Sequence, residues 1–438
     1  MTSPLIAGLS LASTWLSGSA WRRADSQAER HHDVDLYVDL AQRAERAGLD
    51  FVFRPDTGFL DPLSQAQGPG TSALDPTLLL ACVARATRRI GLVTTISTSF
   101  QEPFHIARQL ESLQVISGGR AAWNLVTGLE GQGNFGHRPF LPAQARYRQA
   151  EECLQVVRAL LASYPASALR VNRDAGVYAD AQAIRSIDHR GEYFQVQGPL
   201  TLPAGRFGRV PIFQAGASDE GRSFAACHAD AVFAAAPTRE AAHELRCDLR
   251  QRAGQAGRSV QDVRVLPGLS LYLAPTREEA RTLFDQTHAQ LGRAQRLAKL
   301  ATILGVAVDD LPDDRPLALD DFPEPAQPVR SRTHADLLRR RIASDRPTLE
   351  QLLALPEVVS SAHWQVVGTP ADAVDQILAW RAADAIDGFI ALPGGSLGSL
   401  ALFLEAVVPA LQTGGCLRAP GTQPNPPDHR WPCFSAAS

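Results

Sequence analysis

Lysine is almost missing from this 438-residue chain: of its 43 basic residues only Lys299 is a lysine, which reads as compositional bias and not as a chemical device. An excess of charge of either sign is missing too. A net charge of −3 offers no electrostatic footprint for nucleic acid or for an anionic membrane surface. No apolar run approaches the roughly 20 residues needed to cross a bilayer. The six cysteines (Cys82, Cys153, Cys227, Cys247, Cys416 and Cys433) form no CxxC pair, which points to free thiols in a cytoplasmic protein. No set of His, Cys, Asp and Glu has metal-ligand spacing. The N-terminal MTSPLIAGLSLASTWLSGSA lacks the positive segment of a signal peptide, and Ser and Thr interrupt its apolar stretch, so it reads as a first strand.

What the chain does have is alternation. From Leu74 to Gly128 the sequence parses as helix, strand, helix, strand. Pro76 follows Asp75 as a first-turn proline, and Pro103 to Ile116 places Ile106, Leu110, Leu113 and Ile116 at helical spacing. The strands Ile90–Thr98 and Arg120–Gly128 are near-continuous apolar runs with polar exits, the pattern of buried parallel sheet. Similar strands are expected at Leu5–Ala12, Asp50–Asp56, Val210–Ser218, Ala229–Pro237, Val263–Ala274 and Asp387–Gly394. Helices are expected at Val34–Ala47, Arg146–Leu161, Asp219–His228, Arg239–Ala256, Arg277–Leu291 and Leu397–Leu411. This makes an α/β chain of eight strand–helix units, for which a (β/α)8 TIM barrel is the simplest closed solution and a doubly wound open sheet the alternative.

A bare barrel needs roughly 250 residues. The excess falls into insertions after the fourth and seventh helices, about 165–209 and 301–366, within a single domain spanning 1–413. The second insertion begins acidic and Pro-rich, as a loop or lid outside the core, and then turns helical. The segment 414–438 reads as a mobile or loosely packed tail.

Several motifs carry a more specific resemblance. GGRAAWNLVTG, NFG (Asn134–Gly136), RYRQAEECLQVVRAL, RGEYFQVQGPL (Arg190–Leu200), QAGASDEGRSFAACHADAVF (Gln214–Phe233), LPGLS (Leu266–Ser270), VVGTPADAVDQI (Val366–Ile377) and DGF (Asp387–Phe389) occur in this order. Together they resemble the flavin-dependent monooxygenases of the bacterial luciferase superfamily, in the branch of the nitrilotriacetate, EDTA and dibenzothiophene-sulfone monooxygenases. The resemblance implies a barrel that binds reduced FMN (FMNH2) delivered by a separate NAD(P)H:flavin reductase. Dioxygen would form a C4a-(hydro)peroxyflavin that oxygenates a small organic substrate, in a homodimer or homotetramer. No catalytic residue is implied, because the cofactor carries the hard step.

The same resemblance nominates cofactor-binding residues. Ser218 in QAGAS, with Gly216 and Ala217, matches a phosphate loop, and Ser218 also suits an ordinary N-cap. Asp56, at the exit of the second strand, matches a residue that approaches the flavin ring, although the preceding pair here is Arg54-Pro55, with Arg54 aimed at the site or outward between barrel and helices. Thr95 matches a flavin-contacting threonine, and strand alternation puts Thr95, Ser97 and Ser99 on one face and Thr94 and Thr98 on the other. Tyr147 matches a flavin-contacting tyrosine; the histidine expected one helical turn earlier is Ala143, and His137 is the nearby imidazole. Asn124 and Thr127 leave the fourth strand toward the ring or the substrate. Trp123 is expected in the core, His105 in a structural role, and His31-His32 on the surface. Arg330, Arg332 and Arg339–Arg341 suit either an anionic substrate or a solvated helix face. A deazaflavin F420 oxidoreductase and a non-catalytic flavin-binding protein are the alternative readings.

Overall fold

The computed structural model describes residues 3–420 apart from positions 71, 129, 137–140, 217, 290, 326–328, 330–331 and 360–361. Eight parallel strands close into a barrel: β1 Ile6–Ser10, β2 Phe51–Arg54, β3 Gly91–Ser97, β4 Ala121–Val126, β5 Ile212–Gln214, β6 Ala231–Ala234, β7 Arg264–Leu273 and β8 Gly388–Pro393. Neighbours pair in chain order, and β8 closes the ring between β7 and β1.

The strand interiors follow the two-residue period. Ile6, Phe51, Phe53, Val93, Ala122, Phe213, Leu266 and Ile390 point inward and fill the barrel, while Leu9, Val52 and Leu92 face the surrounding helices. Asp75 caps the helix Pro76–Ala86 by accepting from the Leu78 N–H at 2.9 Å, with Pro76 in the first turn as expected. The helix Pro103–Ser117 buries Ile106, Leu110 and Leu113, but Ile116 is 40% exposed and leaves the expected stripe. The helix expected from Arg146 starts earlier, at Ala143.

One expectation needs correction. The strand β7 is ten residues long, and its outer half pairs with a further strand, Trp364–Gly368, that was expected to be insertion. Helix Arg277–His288, expected as the seventh barrel helix, packs against this added strand as well as against β7. The helix that leads into β8 is Pro370–Ala382, capped by Thr369 and buried through Ala373, Ile377 and Trp380. The added strand is short and one-sided, with Trp364 and Val366 inward and Gln365 and Val367 half-buried, so it resembles the loop around it.

The first insertion forms two small hairpins, Leu169–Asn172 with Val177–Ala179 and His189–Arg190 with Gln195–Val196. Glu152 clamps the second by accepting from the backbone of Tyr193 and Phe194 at 3.0 and 2.9 Å. The second insertion builds its own core from Leu300, Leu304, Leu338, Ile342, Leu349, Leu352 and Leu353. Its acidic, Pro-rich segment is loop, as expected, but it contributes Leu317 and Phe322 to this core. The start of the tail is packed rather than loose: Leu5 N–H donates to Cys416 O at 2.8 Å and Arg418 pairs with Asp50 at 2.8 Å. Residues 421–438 lie outside the described residues.

Three aspartates at strand entrances tie neighbouring strands together. Asp50 before β2 accepts from Ala7 N–H in β1 at 2.8 Å, Asp230 before β6 from Ile212 N–H in β5 at 2.8 Å, and Asp387 before β8 from Val265 N–H in β7 at 2.9 Å. Asp387 also receives Arg246 and Arg250, each at 3.0 Å. Arg246 keeps a second partner in Asp384, so Asp387→Ala should cost about 1–3 kcal/mol, the usual penalty for removing one acceptor from buried donors, read as a shift in the urea unfolding midpoint. A loss below about 1 kcal/mol would show that water replaces the carboxylate freely.

Candidate active site

The carboxyl ends of the barrel strands open on one face, where TIM barrels carry their chemistry. Thr95 and Asn124 stand opposite each other in the β3–β4 register. The Thr95 hydroxyl donates to Arg54 O at 2.7 Å and accepts from Asn124 Nδ2 at 2.9 Å. This chain of bonds fixes the Asn124 amide, whose Oδ1 is buried without a partner. Leaving such an acceptor unsatisfied costs about 1–3 kcal/mol, so it stands ready for an N–H donor.

A second cluster forms around Tyr147, in the first turns of helix Ala143–Ser163. Its hydroxyl meets the side chains of Thr127, Ser218 and Gln214, with Gln214 Nε2 donating at 3.2 Å. Burial pushes the Tyr147 pKa up and outweighs these hydrogen bonds, so the phenol stays neutral. Two glycines make room for it: a Cβ on Gly216 would lie 2.2 Å from the hydroxyl oxygen and one on Gly221 2.7 Å. Gln214 Oε1 is a second buried acceptor without a partner.

Ser218 caps helix Asp219–His228, its hydroxyl accepting from Gly221 N–H at 3.2 Å. Asp219 is turned out to Arg252 at 2.7 Å, which removes a carboxylate from the helix entrance. Arg146 is half-buried beside Tyr147 and feels the Glu220 charge; burial lowers its pKa. Its Nη1 donates to Leu141 O at 2.8 Å. A serine-capped helix start with a nearby guanidinium is a seat for an anion.

The structure thus brings Thr95 to Asn124, and Thr127, Ser218 and Gly216 to Tyr147. Asp56 follows the end of β2 at an exposed position, where desolvation and Asp75 raise its pKa against a Thr57 N–H and the Arg54 charge. Ala217 and His137 lie outside the described residues. Gln214 was missed as a site residue; its signal was a polar side chain closing the apolar strand VPIFQ. Of the two orientations weighed for Arg54, the outward one holds: its guanidinium lies 4.9 Å from the centre of the Tyr37 ring and donates to Leu11 O. Trp123 is core, as expected. His105 is exposed on its helix, its ring edge-on to the neighbouring Phe104. His31 is not a surface residue: it is buried between Ser13 at 3.0 Å and Ser72 O at 2.7 Å, because its ring serves the loop after β1. Arg340 and Arg341 pair with Glu244 and Asp345, and Arg339 donates to Phe322 O and Pro323 O; they are tied up on the surface of the second insertion. Arg330 and the Arg332 side chain lie outside the described positions.

The family model for luciferase-like monooxygenases matches residues 16–385. The chain belongs to the luciferase-like monooxygenase family. It is 33% identical to N-acetyl-S-(2-succino)cysteine monooxygenase of Bacillus subtilis (strain 168) over 414 residues, 94% of this chain and 92% of that one. It is 34% identical to nitrilotriacetate monooxygenase component A of Aminobacter aminovorans over 413 residues, 91% of this chain and 90% of the relative. The structure of a riboflavin lyase with modified FMN and riboflavin superposes with a TM-score of 0.81 at 27% identity, covering 95% of this chain and 93% of that one. As a member of this family the protein is an oxidoreductase that incorporates oxygen.

Within this family frame Ala143 is half-buried at the first position of its helix, which has no side-chain cap, one turn before Tyr147. Ala143→His should be tolerated, with a stability change within about 0.5 kcal/mol, as for surface substitutions clear of the core. Thermal melting checks this; a fall of many degrees would mean that the position is packed against the barrel.

Proposed function

We propose that this protein is an FMNH2-dependent monooxygenase, supplied by a separate NAD(P)H:flavin reductase, that uses dioxygen to oxygenate a small organic substrate. The observation that carries this reading is the pair of orphaned acceptors, Asn124 Oδ1 and Gln214 Oε1, beside a serine-capped helix start. These groups fit a flavin mononucleotide. An isoalloxazine ring offers N–H donors for Asn124, and a phosphate monoester suits Ser218, the Tyr147 hydroxyl, the first amides of helix Asp219–His228 and the charge on Arg146. When bound, the reduced flavin supplies the two electrons that dioxygen needs.

The protein's own part is positioning and exclusion. Thr95 locks the Asn124 amide so that its carbonyl side faces away from the threonine. Phe53 and Phe233, 5.2 Å apart between ring centres, belong to the apolar filling of the barrel beneath the strand exits, which closes that end of the site to water. The name "component A" of the nitrilotriacetate relative supports a system in which reductase and oxygenase are separate chains.

Gly131–Gly136 has the spacing GxGxxG, but it forms a single 3-10 turn over Gln132–Asn134 and, among the described residues, opens no α-helix, which argues against a seat for a dinucleotide pyrophosphate. FMN should therefore bind much more tightly than FAD, and reduced FMN at least as tightly as oxidised. Calorimetry with each flavin, anaerobically for the reduced form, decides this; equal or tighter FAD binding refutes the phosphate assignment.

Ser218→Ala should weaken FMN binding by about 1–3 kcal/mol, the worth of a hydrogen bond to a charged group. Its cost to folding should not exceed a lost cap, about 1 kcal/mol. Unchanged FMN affinity in a folded variant would reduce the serine to a cap.

A further inference from the structure

A cavity of about 970 Å³ lies across the barrel face from the Tyr147 cluster, between the loops after β1 and β2 and the helices that follow β7. Its lining includes two cationic side chains, Lys299 and Arg22, and, among the described residues, no carboxylate. Lys299 is the only lysine of the chain. Its ammonium is half-buried and donates to Val359 O at 3.1 Å. An ammonium has three donors, and no carboxylate pairs with Lys299 among the described residues; on the same helix Arg293 pairs with Asp313 and Arg296 donates to Leu291 O at 2.8 Å. Burial lowers the Lys299 pKa, the signature of a cation without a counter-ion.

The same wall carries another unsatisfied group. Ser19 Oγ is buried without a partner, while Ser19 N–H is bonded to Thr287 O at 2.8 Å, which holds this loop against helix Arg277–His288. Leu16, Trp21 and Leu291 give the cavity an apolar side. The cavity is also joined to the proposed flavin side by a run of contacts. Ser13, on its wall, bonds Tyr37 at 3.3 Å; Tyr37 faces the Arg54 guanidinium, and Arg54 O receives the Thr95 hydroxyl.

We propose that this cavity seats the substrate and selects a small organic carboxylate, its charged end on Lys299 and Arg22 and its apolar part on the opposite wall. The proposal rests on the monooxygenase reading for what happens to the substrate, and on the cavity alone for its class. An anion there completes the hydrogen bonding of a buried ammonium, whereas a neutral ligand leaves it desolvated and unpaired.

Succinate and its neutral counterpart succinamide are suitable probes, titrated onto the whole protein by saturation-transfer NMR. Wild type should bind succinate about tenfold or more tightly than succinamide, the factor expected for a hydrogen bond to a charged group. Lys299→Gln should abolish the preference and Lys299→Arg should restore most of it, with thermal melting as the check on folding. If Lys299→Gln does not fold, Arg22→Gln, at the exposed rim, should reduce the preference in the same direction. Equal binding of the two probes to wild type, or an unchanged preference in a folded Lys299→Gln protein, overturns the proposal. FMN titration of the same samples separates the two readings: normal FMN affinity without a succinate preference overturns the substrate class alone, and a succinate preference without FMN binding supports it while overturning the flavin assignment.

Discussion

Everything at the open face depends on β8 closing the barrel against β1 at backbone contact. The closeness is enforced at Gly388, where a Cβ would lie 2.0 Å from Ile6 O. The residue before it, Asp387, gathers Arg246, Arg250 and the Val265 N–H at the entrance of the same strand. Two adjacent residues thus set how near β8 comes and how it is anchored. Asp50 and Asp230 repeat the anchoring a strand apart elsewhere, so the strand entrances are stapled in pairs while the exits remain open. A rigid closed end lets the other end hold unsatisfied polar groups, whose cost is borne by the fold as a whole.

The groups at the open end are arranged in dependent layers. Arg54 turns outward under Tyr37, which leaves its carbonyl free to receive Thr95; Thr95 then orients Asn124. The proline after Arg54 costs nothing in this arrangement, because the bond to Thr95 uses the Arg54 carbonyl and no N–H from residue 55. On the other side, the small residues of QAGAS serve the phenol of Tyr147 as well as the helix start, since Gly216 and Gly221 both border its hydroxyl. The RGEYF motif has a structural explanation in the clamp that Glu152 makes on Tyr193 and Phe194.

The barrel was legible in the sequence because buried parallel strands and their helices have distinct periods, and caps such as Asp75-Pro76 mark the boundaries. Thr95, Asn124 and Ser218 stood out as polar residues where apolar strands end, whereas Tyr147, in the first turns of a helix, was reached only through the family resemblance. Gln214 was hidden by its place in a motif whose serine drew attention. Trp364–Gly368 was hidden because a strand added outside the closed ring has only one covered face. The true depth of His31 was hidden because burial of a histidine depends on a distant loop at Ser72, which local pattern does not encode.

The second insertion has a core of its own, with no residue in common with the barrel's. A substitution inside that core removes no apolar contact from the barrel's own cluster, and the reverse holds as well. The wall of the mouth that contains Lys299 therefore belongs to a part whose interior can be rebuilt without disturbing the strand exits that hold Asn124 and Gln214. Such a chain is built like a tool with an exchangeable jaw: inheritance can replace what is gripped while leaving the working edge as it was.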